Sequence, residues 1–174
     1  MIKSILIFIF LFTIDNLIGI IFPVRTIFGS YIIVPYLTLI GFCIHAFYDE
    51  DNRLPIIAIA FGLVYDMFGA NLLGLYTAIF VIIVLLVKKY IVTITPINFI
   101  SLFYIVTVAI LAVETIIYLF VVIVTPRTMS ILAFIQYRLV ITIIFNTVAL
   151  AVLYPILNKL LELKKRKLKK SKKS

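Results

Sequence analysis

Six long apolar runs, separated by only a few polar residues each, constrain this chain more than any other feature. They are Ile2 to Phe22, Tyr31 to Phe47, Leu54 to Phe68, Leu72 to Val87, Ile97 to Val124 and Ile131 to Leu157. A helix crosses roughly 30 Å of hydrocarbon with about 20 apolar residues, so such runs read as transmembrane helices. Hydrophobic residues make up 65% of the 174, and mean hydropathy is +1.29; a soluble domain is about half apolar. The expectation is an all-α integral membrane protein. It consists of a compact bundle of about six transmembrane helices over residues 1–158 and a basic tail over 159–174.

The first run follows Lys3, but it is long for a signal peptide, lacks a small-residue cleavage site and carries Asp15, so it reads as a retained helix. Cys43 stands alone, forms no internal disulfide and reads as a packing residue.

Turn and charge signals separate the runs: Pro23 with Arg25 and Gly29, Asp49 to Arg53, Gly69 to Asn71, Lys88 to Pro96, and Thr125 to Ser130. Pro55 and Pro96 suit the first turns of helices. Leu54 to Val87 is either one span or two short ones joined near Gly69, and charge placement favours two. With two helices and both termini inside, Lys3, Arg53, Lys88, Lys89 and the tail are cytoplasmic, leaving Arg25 and Arg127 outside. Each short helix covers only about 22 Å. Their connection, Asp66 to Gly74, is therefore expected to pack inside the bundle, because lipid satisfies no backbone amide or carbonyl.

The net charge of +9 is local, since nine of the sixteen basic residues lie from Lys159 onward. A basic cluster directly after a transmembrane helix marks the cytoplasmic side and attracts anionic lipid, here through Lys164, Lys165, Arg166 and Lys167. No aromatic stacking residue interleaves these lysines, which argues against nucleic acid. The acidic loop of Asp49, Glu50 and Asp51 reads as a solvated turn or a docking point for a basic partner. Tyr48, Tyr90 and Tyr154 near inner ends and Tyr31 near an outer one supply an amphipathic belt.

Charged side chains inside spans are costly and usually face protein or water. Asp15, Glu114 and Arg138 fall about 10 to 15 Å below the outer surface at 1.5 Å per residue, with Asp66 near the outer turn. Glu114 and Arg138 pair best by depth. Such groups act as polar fastenings between helices, as contacts to a partner or ligand, or as a proton pathway. His45, near the inner end of the second run, suits a hydrogen bond to a neighbour or headgroup. No metal site, cofactor motif, phosphate-binding loop or nucleophile elbow is recognisable, and no reactive set points to an enzyme.

Gly62 to Tyr76 reads GLVYDMFGANLLGLY, and this stretch resembles the MreD family of rod shape-determining proteins. Gly62, Asp66 and Gly74 match the family's glycine, acidic residue and leucine-glycine element, and Gly69 its glycine-bearing turn. Pro35 in Val34-Pro35-Tyr36-Leu37 corresponds to the family's Pro-containing second-helix start. The resemblance extends to Glu114, Arg138 and Asn146, then to Tyr154-Pro155 before a basic tail; Ile141 stands where many members have a proline. It implies a bacterial cytoplasmic-membrane scaffold without catalytic activity. The implied partner is MreC and, through it, MreB filaments, RodA and a class B penicillin-binding protein in peptidoglycan synthesis. The family is also similar in helix count and size to the substrate-binding subunits of energy-coupling-factor transporters, which makes a small-molecule-binding membrane subunit the rival reading.

Overall fold

The computed structural model describes residues 2–21, 31–49, 53–67, 74–124 and 129–171, and all secondary structure among them is helical. Six helical stretches follow in order: α1 Ile2–Ile21, α2 Leu37–Ala46, α3 Leu54–Tyr65, α4 Leu75–Ile94, α5 Phe99–Val124 and α6 over 131–171. Three of them, α4, α5 and the Ile131–Glu162 part of α6, are long and apolar enough to cross a membrane; α1 to α3 contribute shorter apolar helices.

The second apolar run is only half helix. Residues 31–36 are non-helical, with the amides of Ile32, Val34 and Tyr36 laid out along the last helix as in an extended chain, and α2 begins at Leu37. Pro35 has no amide hydrogen and pushes Val34 out of the helical region, so the helix starts past both. Every residue of α2 is buried, and α2 contacts all five other helices. An all-round apolar helix belongs at such a centre. Phe42 of α2 stacks on Phe8 of α1 at 4.4 Å and meets Phe80 of α4 at 5.8 Å, joining three helices in one aromatic core.

Leu54 to Val87 forms two helices, as charge placement predicts. Pro55 occupies the first turn of α3, where its missing donor costs nothing. Gly62 lets α3 and α4 close together: a Cβ on it would stand 2.4 Å from Thr77 Cα. Gly74 precedes α4 at φ 92°, a left-handed conformation suited to glycine.

Three expectations need correction. Lys88 and Lys89 lie in a π-helical turn of α4, not in a loop, and the helix runs on to Ile94. Nothing in the pair of lysines breaks a helix. Pro96 does, holding Thr95 extended at φ −124°, ψ 127°, and it lies before α5 and not in its first turn. Asp66 is buried as expected, but Met67 and Gly74 are exposed; Gly69 and the rest of 68–73 lie outside the described residues. Past the last apolar run, α6 continues through Pro155 to Ser171 as one helix.

Candidate functional site

The polar interior gathers around the extended segment 31–36. An extended chain has no hydrogen bonds of its own, so where it is buried its amides and carbonyls must find partners elsewhere in the protein. They find them on α6. The Ile32 amide donates to the Tyr137 carbonyl at 2.7 Å, that of Val34 to Thr142 Oγ1 at 3.3 Å, and that of Tyr36 to Asn146 Oδ1 at 2.8 Å. The register has a simple origin. Two extended residues advance about 6.6 Å, and four or five helical residues advance about 6 to 7.5 Å, so every second amide meets a new α6 group.

Asn146 is used at both ends of its amide. Nδ2 donates to the Val34 and Thr142 carbonyls, each at 2.8 Å, while Oδ1 accepts from Tyr36. The wide π turn Ile135–Leu139 contains Tyr137, the residue whose carbonyl accepts from Ile32. Arg138, Thr142 and Asn146 recur at four-residue spacing and so share one face of α6.

Two carboxylates act where α2 and α4 begin. Asp15 of α1 accepts from the Leu37 and Thr38 amides at 2.8 and 2.9 Å, from Thr38 Oγ1 at 2.8 Å, and from the Tyr65 hydroxyl. Asp66, at the end of α3, accepts from the Gly74, Tyr76 and Thr77 amides at 3.0, 2.7 and 3.1 Å and from Thr77 Oγ1 at 2.6 Å. Neither Tyr36 nor Gly74 caps its helix with its own side chain. The aspartates satisfy the orphan amides instead.

Glu114 is fully buried on α5 and receives Arg138 Nε at 2.6 Å, Arg138 Nη2 at 3.4 Å and the Tyr36 hydroxyl at 2.8 Å. The pair read from depth is present. It is also part of the same network, because Tyr36 joins Glu114 through its hydroxyl and Asn146 through its amide. Among the described residues, no buried side-chain nitrogen or oxygen lacks a hydrogen-bond partner.

A separate polar group lies at the other end. Asp49, past α2, accepts from Lys88 Nζ and from the Leu54 amide at 3.0 Å, and the Tyr48 hydroxyl meets Asn158 of α6. Burial pushes the Asp49 carboxyl up, but the Lys88 and Leu54 hydrogen bonds with the Lys88 charge outweigh it and hold the group below its ordinary range. His45 is buried, with its ring edge-on to Phe8 at 5.6 Å. The side chains of Lys164, Lys165, Arg166 and Lys167 lie outside the described residues.

Pro35, Asp66, Glu114, Arg138 and Asn146 therefore all belong to, or directly adjoin, the polar interior, while Gly62 and Gly74 shape the α3–α4 approach. Sequence reading missed Tyr36, Thr38, Tyr65, Thr77 and Thr142. The spacing of Arg138, Thr142 and Asn146 was a usable signal for Thr142, and the position beside Pro35 one for Tyr36.

An all-helical membrane protein whose interior is a closed polar network, with helix ends capped across the bundle, is the class these features define. A family model described as rod shape-determining protein MreD matches residues 1–164. The chain belongs to the MreD family, and its role lies in rod shape determination. No curated protein and no solved structure matches the chain.

Proposed function

We propose that the chain is a non-enzymatic scaffold subunit of the bacterial cell-wall elongation complex, binding MreC in the cytoplasmic membrane and helping to maintain an elongated shape. Through MreC it works with MreB, RodA and a class B penicillin-binding protein. One observation carries the reading: the interior polar groups of the described residues are occupied by one another, from Asp15 to Asn146. Such a network fixes the helices and leaves the outer faces for protein partners. Asp66, Gly62, Gly74, Pro35, Glu114 and Asn146 are then fastenings of the scaffold.

In this reading the bundle crosses the membrane six times, with both termini cytoplasmic. The second crossing combines extended residues 31–36, about 20 Å long, with the ten residues of α2, about 15 Å. Together they span the hydrocarbon that α2 alone cannot. Residues 1–158 form the transmembrane unit, and Lys164, Lys165, Arg166 and Lys167 hold the continuing helix against anionic lipid.

Affinity purification of the native complex, followed by mass spectrometry, tests this. Recovery of MreC with elongation proteins is expected. Recovery of a transporter ATPase module in their place would favour the small-molecule-binding subunit and contradict the scaffold.

A further inference from the structure

Among the described residues, Glu114 alone hydrogen-bonds the Arg138 guanidinium. A guanidinium carries five N–H donors. Two of them are accounted for, both by Glu114: Nε at 2.6 Å and Nη2 at 3.4 Å. No other hydrogen bond joins Arg138 to a described residue. The side chain is 23% exposed, whereas that of Glu114 is fully buried, so Arg138 grips the bundle through its Nε–Nη2 edge and also has an outward part.

The outward part lies in a particular setting. Arg138 stands about 10 Å along α6 from its first residue, Ile131. The preceding helix, α5, has 26 residues, about 39 Å, against a hydrocarbon thickness of about 30 Å. The α5–α6 end can therefore project past the hydrocarbon, which raises Arg138 toward the headgroups. Side chains on a helix lean toward its N-terminus, which for Arg138 is that same direction. Beside it, the rings of Tyr31 and Tyr137 lie 5.5 Å apart and both are exposed, as interfacial tyrosines are.

We propose that the outward part of Arg138 binds the phosphate of a phospholipid in the leaflet at the α6 N-terminal end. Arginine suits this ligand because its planar fork matches phosphate oxygens in pairs. Glu114 limits the affinity, since it already neutralises the guanidinium and repels a second anion. Arg138 so clamps one anion inside the bundle and one at its rim. The inference rests on α6 crossing a bilayer and is independent of MreC binding.

Native mass spectrometry of the full-length protein, purified in detergent and mixed with phosphatidylglycerol, tests it. The parent should retain the lipid and not diacylglycerol, which lacks the phosphate. Glu114→Gln frees the guanidinium and should raise retention. The double variant Glu114→Gln/Arg138→Gln keeps a hydrogen-bonding pair without an unpaired buried charge, and should retain about tenfold less lipid at an unchanged melting temperature. Equal retention by the parent and the double variant, or equal retention of diacylglycerol, overturns the proposal. Displacement of the lipid by inorganic phosphate would assign the site to a soluble phosphate, and overturns the lipid as ligand. No retention by the parent also overturns it and turns the outward part toward an acidic group on a partner helix.

Discussion

Asp15 and Asp66 perform the same operation in two corners of the molecule, yet over very different ranges. Asp66 caps α4 across 8 to 11 residues of its own hairpin. Asp15 caps α2 across 22 and 23 residues, and the extended segment beside it is fastened to α6 across 105 to 112. The α3–α4 corner is thus a local device, closed by one aspartate and the close approach at Gly62. The α1–α2 corner is a hub, in which α1, α5 and α6 must all be in place before segment 31–36 and the start of α2 are satisfied.

If that distinction holds, the largest destabilisation belongs to the hub. Asp15→Leu leaves two helix-end amides and the Thr38 hydroxyl without their acceptor, and leaves the Tyr65 hydroxyl only Thr38 Oγ1 at 3.1 Å. Each abandoned buried group costs about 1 to 3 kcal/mol. Purified in detergent, this variant should show the greatest loss of thermal stability, with Asn146→Leu close behind. Asp66→Leu should lose less than Asp15→Leu, because its hairpin can relax without disturbing α5 or α6, and Asp66→Asn should lose less again. A melting temperature for Asp66→Leu below that of Asp15→Leu would reverse the ranking of the two corners.

Gly62→Ala sharpens the local half. Its Cβ meets backbone at Thr77 and not the tip of a flexible side chain, so α3 and α4 must separate, at about 1 to 3 kcal/mol. Retained parental stability would show that the helices slide apart freely.

The smallest effect is expected at the other end, for Asp49→Asn. Lys88 and Asp49 are partly exposed, and such pairs contribute about 1 kcal/mol or less. The Asp49 carboxyl is held below its ordinary range in the folded protein. Its contribution is therefore present above the unfolded value near 3.9 and is lost as pH falls through the lower folded value. The stability difference between parent and Asp49→Asn should be constant near neutral pH and shrink below about pH 4. A difference that grew on acidification would contradict the assignment.

The same contrast governs what was legible in the sequence. Helix number follows from apolar runs, and the Asp66 corner follows from glycines and an acid within one short stretch. Charge and depth also bring Glu114 to Arg138. The extended crossing was not legible, because Tyr31 to Phe47 is as apolar as its helical neighbours; only Pro35 marks the break. Its satisfaction depends on Thr142 and Asn146, more than 100 residues away, and no local pattern encodes that register. Lys88 and Lys89 misled for the opposite reason, since charge resembles a loop signal while the backbone stays helical until Pro96.

The most direct test of the scaffold reading is binding of the purified chain, reconstituted in lipid nanodiscs, to MreC carrying its transmembrane helix. The account predicts saturable binding that survives Asp49→Asn and is lost with Asp15→Leu only as the bundle unfolds. Absence of binding by the folded parent protein would contradict it.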